Sequence, residues 1–78
     1  MAKLPNLKPR EVETVLFRAG FELVRTKGSH RTYYCRVKNC FTTVPFHPGD
    51  VSRGTLRAII RQSEMTVEEF TGYLRKKR

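Results

Sequence analysis

FELVRTKGSHRTYYCRVKNCFTTVPF, residues 21 to 46, is the stretch on which the fold turns. Aromatic and β-branched residues dominate three runs within it: FELVRT at 21 to 26, HRTYYCRV at 30 to 37 and CFTTVPF at 40 to 46. The breaks are short and carry turn residues, Gly28 and then Lys38-Asn39, so the stretch reads as a three-stranded antiparallel meander. Pro45 has no N–H to give to a ladder, which makes the third strand an edge or ends it there. With Lys38 and Asn39 as a two-residue hairpin loop, Val37 stands opposite Cys40 and His30 opposite His47, which puts the two imidazoles side by side on one face. The competing reading breaks the ladder at Pro45 and leaves His47 in a loop. Tyr33, Cys35 and Val37 alternate on one face of the middle strand and are assigned to the core.

Outward from the meander the period changes. Val12, Val15, Leu16 and Ala19 fall at i, i+3, i+4 and i+7, with Pro9 suited to a first turn and Gly20 to a left-handed exit, which predicts a helix over about residues 9 to 19. After the HPGD turn at 47 to 50, Ser52 is a good N-cap for a second helix over 53 to 62. Leu56, Ile59 and Ile60 form its apolar stripe and Arg53, Arg57 and Arg61 a cationic ridge. TVEE at 66 to 69 has the pattern of a capping box and starts a short third helix that buries Phe70, Tyr73 and Leu74 and runs into RKKR. A chain of 78 residues closes over one core, so residues 1 to 78 form a single domain. The expected class is α+β: helix, three strands and helix, with a short C-terminal helix. The helices cover one face of the sheet, as in double-stranded RNA-binding domains, and the other face stays open.

Net charge is +9, and its distribution matters more than its sum. No acidic residue falls between Glu22 and Asp50, while Arg25, Lys27, Arg31, Arg36 and Lys38 do, interleaved with Tyr33, Tyr34 and Phe41. A cationic surface with aromatic residues points to nucleic acid, against the alternative of a soluble protein with a basic bias. The start, MAKLPNLKPR, has no apolar h-region, so a cytoplasmic location is expected, with no membrane association and reduced Cys35 and Cys40. A metal site would need Cys35, Cys40, His30 and His47 to converge, and the C-x4-C spacing does not suit a zinc knuckle. No metal and no cofactor are expected.

KGSHRTYY at 27 to 34, TVPFHPGD at 43 to 50 and RGTLRAIIRQSEMTVEEF at 53 to 70 together resemble the HicA family of bacterial toxins. The family's Gly-Ser-His turn is matched by Gly28-Ser29-His30, its Val-Pro-x-His segment by Val44-Pro45-Phe46-His47, and its Gly-Thr-Leu helix start by Gly54-Thr55-Leu56. The similarity spans roughly residues 10 to 71. It implies a double-stranded-RNA-binding-like fold, metal-independent endoribonuclease activity on mRNA, a catalytic role for His30 and inhibition by a HicB-type antitoxin. One departure is Ser63-Glu64 after the second helix, where the family usually has Gly; this touches the exit turn only.

RNA carries its own nucleophile, the 2′-hydroxyl beside the scissile phosphate. An enzyme need only move protons and stabilise the phosphorane. Asp50 is the single aspartate and the glutamates lie on helices or at a strand start, so no carboxylate cluster for two metal ions is visible and acid–base catalysis by imidazole is the route left. His30 is the first candidate, beside Lys27, Arg31 and the Gly28-Ser29 turn, whose amides suit a phosphate; His47 is the second, as acid or as phosphate-positioning group. Ser29 is either a proton relay or a turn-forming residue. Lys27 and Arg31 are expected near the phosphate and Arg53, Arg57 and Arg61 further along the RNA, unless that ridge is merely a solvated helix face. The competing functions are a non-catalytic double-stranded-RNA-binding module and a small DNA-binding or ribosome-associated basic protein.

Overall fold

The computed structural model describes residues 4–75, so the end of the RKKR tail, 76–78, lies outside the described residues. The elements are α1 (Pro9–Arg18), β1 (Glu22–Lys27), β2 (His30–Cys35), β3 (Cys40–Pro45), α2 (Arg53–Gln62) and α3 (Val67–Arg75). The strands form one antiparallel sheet in the order β1-β2-β3, which makes β3 an edge, as Pro45 requires. The α-β-β-β-α-α order is the α+β arrangement expected from the sequence.

Local chemistry explains each helix end. Pro9 opens α1, the Glu11 carboxylate accepts the Lys8 amide at 2.9 Å, and Gly20 takes the chain out at φ 98°. Ser52 Oγ accepts the Thr55 amide at the start of α2. At α3 the capping box is complete, with Thr66 N–H on Glu69 Oε1 at 2.8 Å and Glu69 N–H on Thr66 Oγ1 at 3.0 Å. No described helix is long and apolar enough to cross a membrane.

The hairpin between β2 and β3 differs from the sequence reading. Its turn takes four residues, 36 to 39, so Cys35 stands opposite Cys40 and His30 opposite Pro45, and not Val37 opposite Cys40 and His30 opposite His47. A two-residue loop on Lys38-Asn39 in the usual hairpin turn would place both in the left-handed region, and only Asn39 adopts it, at φ 53°. Val37 consequently sits in the turn at 94% exposure and is not part of the core. The Lys38 ammonium instead reaches the end of α2 and donates to the carbonyls of Ser63 at 3.3 Å and Glu64 at 3.1 Å. A cation on the last carbonyls of a helix is favourable, so the longer turn clamps the hairpin onto α2.

Alternation then sorts the side chains. Tyr33 and Cys35 from β2 and Cys40, Thr42 and Val44 from β3 face the helices and are buried with Val12, Val15, Leu16, Leu56, Ile59, Ile60 and Phe70. Thr42 donates its hydroxyl to Gln62 Oε1 at 2.9 Å, tying β3 to the end of α2. Cys35 and Cys40 are both free, and burial pushes the Cys40 thiol above its ordinary value, as suits a packing residue. His30, Thr32, Tyr34, Phe41 and Thr43 occupy the opposite face, which no helix covers. β1 is exposed along its whole length and carries a bulge between Leu23 and Arg25.

The exit from α2 shows what stands where the resemblance leads one to expect a glycine. Glu64 stands in the left-handed region at φ 58°, its N–H on the Arg61 carbonyl at 3.0 Å and the next N–H, from Met65, on the Ile60 carbonyl at 3.2 Å. This is a Schellman cap with a β-carbon where glycine is favoured. Glu64→Gly is therefore expected to raise stability by about 1 kcal/mol, seen as a melting temperature several degrees higher. A lower melting temperature would show that the Glu64 side chain compensates for its backbone.

Candidate functional site

The two-residue turn Gly28-Ser29 brings β1 back alongside β2 and pairs Lys27 with His30, Thr26 with Arg31 and Arg25 with Thr32. Gly28 takes φ 59° at the first turn position while Ser29 does not enter the left-handed region, the combination that a II′ hairpin requires and glycine supplies. Lys27, Arg25, His30 and Thr32 therefore share the open face. Together with Gly28 and Ser29 they line a concavity of about 550 Å³.

The regular pairing of β3 with β2 ends at Pro45, so His47 lies in the loop beyond the strand, as the competing sequence reading had it. One further bond, from Phe46 N–H to the Ser29 carbonyl at 2.6 Å, holds the start of that loop against the β1–β2 turn. Although the hairpin register differs from the expected one by two residues, His47 still comes beside His30. The imidazoles of His30 and His47 stand edge to face, ring centroids 5.8 Å apart and planes at 80°. Both residues are exposed. His47 Nε2 lies 3.0 Å from Ser29 Oγ, so Ser29 joins the two histidines at the turn.

Arg31 is placed differently from Lys27. As an odd residue of β2 it projects to the helix side, where its guanidinium lies 3.0 Å from Glu13 Oε2 and 4.1 Å from the centre of the Phe46 ring. Glu13 Oε2 also accepts the Tyr33 hydroxyl at 2.6 Å. Burial, reinforced by that carboxylate, pushes the Tyr33 phenol far above its ordinary range. Arg31 thus closes a network that binds α1 to β2. Its side chain borders a second concavity with Lys8, Arg10, Phe46 and His47, which His30 does not line. Arg53 and Arg57 lie on α2 in the helix layer, apart from the open face. Arg53 donates to the Leu4 carbonyl at 3.0 Å, and Arg57 is exposed.

Arg25 and Thr32 are the residues that the sequence reading left out of the site. The signal was present, since counting back from a Gly28-Ser29 turn pairs Arg25 with Thr32 on the His30 face. Cys35 and Cys40 face the core while His30 and His47 face away from it, so the four do not converge. Among the described residues no group of three or more His, Cys, Asp or Glu side chains is placed to hold a metal ion.

Residues 9–65 match the family model described as the HicA toxin of bacterial toxin–antitoxin systems, and the chain belongs to that family. A search of curated proteins returned no match. Membership makes the chain a toxin of such a pair and implies a cognate antitoxin as its partner.

The Tyr33 phenol provides a check on the network beneath the site. Above about pH 10 the unfolded chain releases this proton and the folded chain keeps it, so stability present below that pH is expected to fall as pH rises through it. Urea unfolding across the alkaline range measures the loss, and Tyr33→Phe should remove this component of it. An unchanged alkaline slope in the variant would place the phenol in contact with water.

Proposed function

We propose that this chain is a metal-independent endoribonuclease that cleaves mRNA, with His30 as general base and His47 as general acid. The observation that carries the reading is the pair of imidazoles with centroids 5.8 Å apart, of which His30 shares its concavity with Lys27 and Arg25. A phosphodiester bound across the exposed edges of the two rings meets a proton acceptor from one and a donor from the other. His30 takes the proton of the 2′-hydroxyl as the 2′-oxygen bonds to phosphorus. The bond from phosphorus to the 5′-oxygen breaks, and His47 delivers a proton to that oxygen. The products are a 2′,3′-cyclic phosphate and a 5′-hydroxyl end. Protonated His47 donates from Nε2 to Ser29 Oγ and keeps Nδ1–H for the leaving group, which gives Ser29 a positioning role. Lys27 and Arg25 offset the charge that builds on the phosphorane, and the Gly28-Ser29 turn lets the backbone approach the phosphate.

The same field that draws phosphates draws carboxylates. The cognate antitoxin is read as a HicB-type protein that lays acidic side chains over the open face and covers His30. Action on mRNA places the toxin in the cytoplasm.

Incubating the purified protein with a long single-stranded transcript in EDTA tests the reading directly. Cutting is expected, with His30→Ala inactive at an unchanged melting temperature, because the exposed His30 contributes little to stability. His47→Ala is expected to cut slower by a factor on the order of 10² or more. Cutting that persists in His30→Ala would identify a contaminant, and His47→Ala cutting at the parent rate would overturn the two-histidine mechanism. Intact binding without any cutting would make the chain a non-catalytic RNA-binding module.

RNA affinity of the inactive His30→Ala protein should fall about tenfold or more between about 50 and 200 mM salt, through release of condensed counterions. A flat titration would count against a phosphate-tracking surface.

A further inference from the structure

The open face carries more than the histidines. Going along it from the turn, the cross-strand pairs are His30 with Pro45, Thr32 with Thr43, and Tyr34 with Phe41. The two threonine hydroxyls lie 3.2 Å apart, and the Tyr34 and Phe41 rings are tilted by 36° with centroids 4.6 Å apart. Tyr34 is fixed by its hydroxyl, which donates to Asn39 Oδ1 at 3.0 Å. Phe41 keeps 56% of its surface in water, a large apolar exposure for a residue in a regular strand. No packing within the described fold accounts for it.

We infer that Tyr34 and Phe41 form a stacking platform for a base of single-stranded RNA, about two nucleotides from the phosphate held at His30. This rests on the ribonuclease reading. Four residues of strand separate His30 from Tyr34, a distance of about 13 Å, which is about two nucleotides of extended single strand. The platform is continuous with His30 on one uncovered face. Charge favours RNA over an apolar partner segment: Arg25 and Lys27 border the same face, and Glu22, opposite Tyr34, is the single carboxylate on the three strands. A tilted aromatic pair offers a π-face to any base, and the threonine pair between platform and histidines is small enough to let the backbone pass. Duplex RNA keeps its bases stacked inside, so the platform selects unpaired RNA.

The test compares the unsubstituted chain with Phe41→Thr and Phe41→Trp in steady-state cleavage of a single-stranded RNA in EDTA, each checked by thermal melting. Threonine keeps the strand preference and removes the ring. The expected result is a KM raised about tenfold or more in Phe41→Thr and retained or lowered in Phe41→Trp. Binding of a base-free ribose-phosphate oligomer to the His30→Ala protein should not change on adding Phe41→Thr. A parent KM in Phe41→Thr overturns the platform and leaves the nuclease reading intact, whereas failure of the unsubstituted chain to cut overturns both. A Phe41→Thr protein that keeps its KM and loses affinity for the antitoxin would make the aromatic pair a protein contact.

Discussion

The pleat of β2 is the constraint on which the rest depends. Its odd residues enter the helix layer, where Tyr33 is fully buried, and its even residues His30, Thr32 and Tyr34 go to the face that no helix covers. One residue of slip would put a histidine into the core and a tyrosine into water, and both changes are costly. The core and the candidate site are thus two sides of one strand. Packing on one side sets the geometry of the other.

Two features hold that strand in register. At one end the Glu13 carboxylate accepts from both Arg31 and Tyr33, joining the middle of α1 to β2 through half-buried, charge-assisted hydrogen bonds. At the other, Lys38 clamps the β2–β3 turn onto the carbonyls that end α2. Between them the hairpin is held against sliding, and the bond from Phe46 to Ser29 ties the segment just before His47 to the β1–β2 turn. His30 stands at the start of β2 and His47 two residues beyond the end of β3, and this register brings their rings to 5.8 Å.

Basic residues on this chain do two kinds of work that composition does not separate. Lys27 and Arg25 share the open face with His30, while Arg31, Arg53 and Lys38 hold structure through a carboxylate, a carbonyl of the N-terminal segment and a helix end. An excess of cations marks the class of partner. Which cations face that partner depends on strand parity and on the neighbours each one finds. Arg31, next in sequence to His30, is for that reason on the opposite side of the sheet.

Periodicity, cap residues and turn glycines determined the element order, because each is a local matter between residues a few positions apart: Pro9 and Gly20 around α1, Ser52 at α2, and Thr66 with Glu69 at α3. The motifs Gly28-Ser29-His30 and Val44-Pro45-Phe46-His47 carried the family as well. The sequence by itself left the place of His47 open between a ladder partner of His30 and a loop residue; the structure puts it in the loop, with its ring 5.8 Å from that of His30. Only the tertiary structure decided the length of that hairpin. A two-residue Lys38-Asn39 loop would place lysine in the left-handed region and would give up the bond from Lys38 to α2, a contact between residues 25 and 26 positions apart that no local pattern contains. For the same reason the partners of Arg31 and the exposure of Phe41 emerge only when α1 and the three strands are packed together.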